Sequence, residues 1–458
     1  MGNPLSFSWT RGPKTSSGSF WILVAFFTAI VVAVATSGCV AGTGAGAEPT
    51  AKASPTRTVP HATTAAGPSP SEAAPTSQAA SPVPTEIATA RPSVVVTPSP
   101  SPTKGTFTPS PSALGWVHML DAKVGWGLTE KQVLRTTDGG WTWTDVSPSG
   151  PTLNAPLYLS GKLVQGRTVA WLGLYQSQRP PVLLETRDAG KHWRAVTLPA
   201  PPDSAANNIS FVDRTRGWVM INVGAAAGSD EVLVLRTTDE GLTWHRVAAT
   251  PPLSSPTLKP SRRGIPLGGD KTGMTFHDAT TGWIAGTIAT GGIYLYASHD
   301  GGRSWQRVVL GLPSEFPSAA LPITYPPRFF GAKVGLLPVI VNDRTLLFYT
   351  SHDGRQNWQP TTPVRFGMTS SGRIVYDFMD PEHGWASDGR MFYQTTDGAR
   401  HWTKLTPNVP LTSLTELDFV SPRVGWAILA PPRRAPRLLA TNDGGTTWAA
   451  IPAQVVRP

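Results

Sequence analysis

One octapeptide pattern recurs seven times and fixes what this chain can fold into. The copies are TTDGGWTW (136–143), TRDAGKHW (186–193), TTDEGLTW (237–244), SHDGGRSW (298–305), SHDGRQNW (351–358), TTDGARHW (395–402) and TNDGGTTW (441–448). The rule is Ser/Thr-x-Asp-x-Gly-x-x-Trp, with Arg355 and Ala399 at the Gly position of two copies. Successive aspartates Asp138, Asp188, Asp239, Asp300, Asp353, Asp397 and Asp443 are 50, 51, 61, 53, 44 and 46 residues apart. A period of that length signals a repeat architecture, and it matches the chain that four short strands need.

A second motif lies upstream of each box. It reads HMLDAKVGWGL (118–128), SFVDRTRGWVM (210–220), TFHDATTGWIA (275–285), YDFMDPEHGWA (376–386) and DFVSPRVGWAI (418–428), with looser versions at 169–174 and 329–339. Runs rich in Leu and β-branched residues, such as EVLVLRT (231–237), lead into the boxes. Short apolar runs bounded by Gly, Asp and Pro favour strands over helices. Each repeat therefore reads as four strands, and 13 of the 17 tryptophans occupy two equivalent repeat positions, which marks them as packing residues.

The box chemistry has a physical reading. Asp accepts backbone N–H groups within a hairpin turn, Gly supplies positive φ, Ser/Thr adds a hydroxyl bond, and Trp covers the hairpin. Seven copies of one feature do not make a single catalytic centre, so the seven box aspartates are read as structural. Arranging the sheets radially leaves only short, protected edges. The expected fold is all-β, a seven-bladed β-propeller over 113–458. Repetition alone leaves open how the ring closes.

These boxes identify the chain with the Asp-box (bacterial neuraminidase repeat) superfamily. The form GW…LRTTDGGxTW is most similar to the seven-bladed photosystem II assembly and stability factor type. That resemblance implies a non-catalytic scaffold or assembly factor that binds membrane-protein complexes. The wider superfamily also contains sialidases and endoglucanases, so a carbohydrate-binding or glycoside-hydrolysing propeller is the alternative. The nearest string to an Arg-Ile-Pro motif is Arg263-Gly264-Ile265-Pro266, interrupted by Gly264. Outside the turns, Glu231, Asp343, Glu315, Glu416 and Asp388 show no pairing of the kind a glycosidase needs. No catalytic residue, cofactor or metal site is assigned, and the reading is not an enzyme.

The N-terminal quarter has a different character. Arg11 and Lys14 precede a 16-residue apolar run, Phe20 to Ala35, followed by Thr36-Ser37-Gly38-Cys39. As a helix this run is about 24 Å long, short for a hydrocarbon core and suited to a signal-peptide h-region. Residues 1–38 resemble a lipoprotein signal, which implies lipidation at Cys39, the only cysteine. An anchor of several acyl chains would hold the protein stably on the outer side of a cell membrane. Residues 39–112 are dominated by Ala, Pro, Ser, Thr and Gly and are expected to be a disordered linker. As a flexible coil it would span roughly 45 Å.

The formal net charge is +10, of which Arg11 and Lys14 lie in the leader and one further excess charge lies in the linker, leaving about +7 on the propeller. Such a balance favours anionic partners, either an acidic protein face or an envelope component. No nucleic-acid-binding motif accompanies it, and no nucleic-acid partner is expected. In a meander, the box turns and the turns before Gly-Trp share one face, and the other loops share the opposite face. The long loops 249–272, 311–328 and 430–437 fall in that second group and carry Arg262, Arg263, Arg328, Arg433, Arg434 and Arg437. These six arginines are the candidate partner-binding residues, because guanidinium groups make bidentate contacts to carboxylates and phosphates. A merely solvated charge cluster is the plain alternative.

Overall fold

The computed structural model describes residues 110–111, 113–148, 158–253, 263–354, 357–367 and 373–456. Cys39, the signal segment, the linker through residue 109, Arg262 and Arg355 lie outside the described residues.

Among the described residues the strands form seven sheets, each built on an antiparallel meander in chain order. Blade 1 begins with Trp116–Met119, blade 2 with Leu159–Gln165, blade 3 with Ala205–Phe211 and blade 4 with Asp270–Phe276. Blade 5 begins with Pro322–Thr324, blade 6 with Val375–Phe378 and blade 7 with Leu414–Phe419. The sequence repeat is thus in phase with the blade. The first strand of each blade is at one end of its sheet, and the first strands of blades 2 and 3, 3 and 4, 6 and 7, and 7 and 1 pack against one another. These strands line a central channel. In blade 5 the inner strand breaks into Pro322–Thr324 and Arg328–Phe330, because Pro326 and Pro327 between them have no N–H to donate.

The box forms as its composition demands. In blade 1, Asp138 accepts the N–H of Thr142 at 2.9 Å and its hydroxyl at 2.5 Å, while Thr136 Oγ1 accepts the N–H of Gly140 at 2.9 Å. The same arrangement recurs at Asp188, Asp239, Asp300, Asp353, Asp397 and Asp443, each accepting the N–H of the residue four positions on. Gly140 has φ of 97°, and Ala399 at the equivalent position of blade 6 is held at 66°. Each box also leans on the turn before Gly-Trp. The N–H of Gly139 reaches the carbonyl of Lys123, Gly301 that of Thr280, and Gly444 that of Arg423, each at 2.8 Å. Both turn classes therefore share one face, as expected.

The two tryptophan columns do different work. A box tryptophan stays with its own hairpin: Nε1 of Trp143, Trp305 and Trp448 donates to the carbonyl of Gly140, Gly302 and Gly445 at 2.9–3.0 Å. A second-strand tryptophan reaches the next blade: Trp218 to Gly301 and Trp385 to Gly444, both at 2.9 Å. Its ring stacks on the last residue of the next inner strand, with centroids 3.8 Å apart for Trp218–Phe276 and 3.6 Å for Trp385–Phe419. The core is thus a set of inter-blade layers rather than one central mass. Blades 6 and 7, for example, share Trp385, Phe392, Leu417, Phe419, Leu439 and Trp448. Trp193 departs from its column. It is half-buried, and its Nε1 donates to the carbonyl of Val146 at 2.8 Å.

The ring closes by two devices. Blade 7 packs on blade 1 through Trp426, Ile428 and Leu438 against Leu114, Val117, Met119 and Trp143. The C-terminal strand Gln454–Val456 then adds in parallel to Thr142–Asp145, the outer strand of blade 1, and pairs on its other side with Ser110–Pro111. Both ends of the described propeller are thereby tied to one blade edge.

Candidate functional site

All seven box aspartates are consumed by their own hairpins. Each is bonded by the side chain four residues on, including the imidazole Nδ1 of His192 and of His401, 2.5 and 2.6 Å from Asp188 and Asp397. Hydrogen bonds from the His192 backbone and ring hold Asp188 down at about 2. For Asp239 and Asp397 burial pushes the other way, but the hydrogen bonds outweigh it and both lie at about 2. Carboxylates that stable as anions are poor proton donors at neutral pH.

The candidate arginines separate. Arg433 and Arg434 are exposed in the turn between the strands Gly425–Leu429 and Arg437–Thr441, and Arg433 takes a φ of 61°. Arg437 is exposed at the start of its strand, opposite Leu429. These three share the loop-face end of blade 7. The other two described candidates lie elsewhere. The carbonyl of Arg263 accepts the N–H of Trp305 at 2.9 Å, so its backbone runs beside the start of blade 4's outer strand. Arg328 begins an inner strand, opposite Leu336, and its Nη1 lies 3.2 Å from Asp377 Oδ1. It faces the channel, not a loop tip, because the chain resumes pairing directly after Pro327.

Arg328 leads to a feature that sequence reasoning missed. The inner-strand residues opposite the second-strand tryptophan, or Leu336 in blade 5, form one level of the ring. They are His118, Leu163, Ser210, Thr275, Arg328, Asp377 and Asp418. Several of these side chains accept the N–H of the next inner strand. Ser210 Oγ takes Phe276 at 2.9 Å, Asp377 Oδ2 takes Phe419 at 2.7 Å, and Asp418 Oδ2 takes Met119. Each cap satisfies a donor on a strand edge that faces the channel. Blades 5, 6, 7 and 1 thus contribute a continuous charged arc: Arg328, Asp377, Asp418 and His118. The sequence signal was the residue before the strand-ending aromatic, visible once the second motifs are aligned.

Glu416 stands two residues from Asp418 on the same face of its strand. Burial, with a further push from Asp418, raises it to about 7 against the pull of Lys162. Burial and the charge of Asp418 also raise Asp377, with Arg328 opposing. For His118 burial acts downward, but the hydrogen bond and charge of Asp418 outweigh it and its pKa rises. Lys162 is solvent-exposed, but its exposure is to a channel walled by strands, and its pKa is lowered by burial. Its Nζ lies 4.7 Å from the ring centroid of Trp116.

Two cavities accompany this arc, the first reaching it at Arg328 and the second lying apart from it. One of about 810 Å³ opens where the blade 5 strand breaks, lined by Phe211, Phe276, His277, Pro327, Arg328 and Phe329 among others. The other, about 440 Å³, lies at the boxes of blades 2 and 3. There the buried Glu185 holds Arg187 at 2.6 Å and Arg194 beside an exposed Leu242. Among the described residues no group of His, Cys, Asp and Glu is arranged to hold a metal ion.

No family model matches the chain. The chloroplastic photosystem II stability/assembly factor of Arabidopsis thaliana is 26% identical over a 292-residue alignment, covering 58% of this chain and 61% of that protein. Its counterpart in Oryza sativa subsp. japonica is 24% identical over 311 residues, covering 58% and 64%. The chain spans about three fifths of the length of these curated relatives. Among solved structures, YCF48 bound to a D1 peptide aligns with a TM-score of 0.40 at 20% identity, covering 64% of this chain and 82% of that one. This chain is a seven-bladed β-propeller homologous to the photosystem II stability/assembly factors.

Proposed function

We propose that this chain is a membrane-tethered propeller outside the cytoplasm that binds a protein partner without catalysing a reaction on it. Homology to stability/assembly factors supports the binding role. The observation that carries it is the fate of the seven box aspartates, each committed to its own turn. The repeat signature therefore builds a rigid platform, and recognition falls to what the loops display. Arg433, Arg434 and Arg437 form the exposed cationic tip of that platform, with no ion pair among the described residues. Guanidinium groups that make no ion pair among the described residues suit an acidic segment of a protein or an anionic envelope component. The tether is a diacylglyceryl group on Cys39, followed by the linker, which gives the platform reach from the membrane.

Two experiments test this reading. Tagged protein is solubilised from membranes in mild detergent, and co-purifying proteins are compared between wild type and an Arg433→Glu/Arg434→Glu/Arg437→Glu variant. A membrane-protein partner present in the first and lost in the second supports the proposal. Equal recovery removes the arginine tip from it, and no partner in either sample turns the assignment toward envelope glycans. Separately, labelled palmitate should enter the wild type and not Cys39→Ser, and the variant should leave the membrane fraction.

A further inference from the structure

The inner strands that meet at the closure of the ring hold their ionisable groups differently from the rest of the channel. Asp377 and Asp418 occupy the same level on adjacent strands of blades 6 and 7. Each caps a backbone N–H of the next strand, Phe419 for Asp377 and Met119 for Asp418. The second cap spans the seam between the last blade and the first. Asp418 also lies 3.4 Å from Nδ1 of His118, and Asp377 lies 3.2 Å from Arg328. At the corresponding seam between blades 3 and 4, the cap on Phe276 is the neutral hydroxyl of Ser210.

We propose that Asp377, Glu416 and His118, gathered around the capping carboxylate of Asp418, form a proton-binding site that couples closure of the ring to pH. The closed seam takes up protons, so it is tightest in mildly acidic solution and loosens as the pH rises past neutrality. Two carboxylates on neighbouring strands, with a third two residues away on one of them, oppose one another's ionisation. The groups that face them are Arg328 from blade 5, Arg373 ahead of the first strand of blade 6, His118 from blade 1 and Lys162 from blade 2. Tyr376 precedes Asp377 in the chain and its ring lies 6.4 Å from that of Tyr325; burial raises both further from neutrality, so they stay protonated.

The sign is the same for each shifted member. Asp377 and Glu416 lie above the ordinary carboxylate range, so the fold favours their neutral forms. That contribution is present below the unfolded value and is lost as the pH climbs through the folded one, about 7 for Glu416. His118 is also raised, so its charged form is favoured, and its contribution likewise disappears with rising pH. Asp188, Asp239 and Asp397 of the boxes carry the opposite sign, but they lie at about 2 and leave the interval from about pH 5.5 to 8.5 clear.

The test is native-state hydrogen exchange on the full chain, corrected for the intrinsic pH dependence of exchange. The amides of Met119 and Phe419 should lose about tenfold in protection between about pH 6 and pH 8.5, as expected for one carboxyl at about 7 in the closed seam that returns to the ordinary carboxylate range when the seam opens. The amide of Phe276 should not change, which supplies a control within the same molecule. Glu416→Gln should melt at a higher temperature than wild type at pH 8.5 and show a flatter dependence on pH. Protection at Met119 and Phe419 that tracks Phe276 across the range would overturn the proposal, whatever the variant does.

Discussion

Trp426 donates its indole N–H to the carbonyl of Gly139 at 3.0 Å, joining residues 287 positions apart. The same bond links Trp218 to Gly301 and Trp385 to Gly444 within the ring. The seam between the ends of the chain is therefore built like an interior interface, with an added strand, Gln454–Val456, on the outside. Closure was the one problem that the repeat could not solve by repetition. The structure solves it by using the repeat's own contact once more.

Trp426→Phe removes this donor while keeping most of the packing, and it leaves the Gly139 carbonyl without its partner. The expected cost is about 1–3 kcal/mol, the usual penalty for stranding a buried polar group. Trp385→Phe should cost a similar amount in urea unfolding. A much larger loss for Trp426→Phe would mean that the seam carries more of the ring's stability than an interior interface does.

The Gly of the Gly-Trp motif has a steric cause. A Cβ on Gly384 would meet Cε1 of Phe378 at 2.5 Å, because the phenyl ring lies across the opposing residue of the neighbouring strand. Gly384→Ala should destabilise the fold by about 1–3 kcal/mol through overpacking. Phe378→Leu in the same chain should recover part of that loss, and additive penalties would contradict the account.

Ala399 poses the reverse case. It is fully buried at the box position that calls for positive φ, and it adopts 66° at an energetic cost. Ala399→Gly should raise stability by about 0.5–1 kcal/mol, the strain relieved less the added freedom of the unfolded chain. Thermal unfolding decides it, and a lower melting temperature would show that the methyl group's packing outweighs the strain.

Acid should undo the hairpins. Asp239 and Asp397 have folded values near 2, below those of the unfolded chain, so their contribution is present above about pH 4. It is lost as the pH falls through 2. Both are partly solvent-exposed, so screening reduces each contribution. Asp239→Asn and Asp397→Asn should each lower stability at pH 6 and narrow the gap to wild type at pH 2.5. Loss of the same size at both pH values would assign the effect to geometry alone.

Much of this architecture was legible because the repeat states it so often. Seven boxes gave the blade number, and two tryptophan columns gave the packing layers. The shared face of the two turn classes followed from the alternation of strands. What escaped was set by contacts between distant repeats. The charged arc depends on which residue stands before the strand-ending aromatic, a column whose residue type repeats only in blades 6 and 7, as Asp377 and Asp418, and so has no signature across the ring. Arg328 looked like a loop residue because Pro326 and Pro327 precede it, yet the strand resumes at once. Arg263 was drawn toward Trp305 by a backbone bond that composition does not reveal. Of the described candidates, only Arg433, Arg434 and Arg437 remain together, being close in sequence on a single turn.

Site-specific photo-crosslinking in membranes tests the central claim most directly. A photoreactive phenylalanine analogue would replace Arg434 on the loop face in one variant and Leu242, exposed at the box face, in another. The account predicts an adduct with a membrane-protein partner from position 434 and none from position 242. Adducts from position 242 alone would put the binding surface on the opposite face. Their absence from both positions, with the protein correctly tethered, would contradict a protein-binding role.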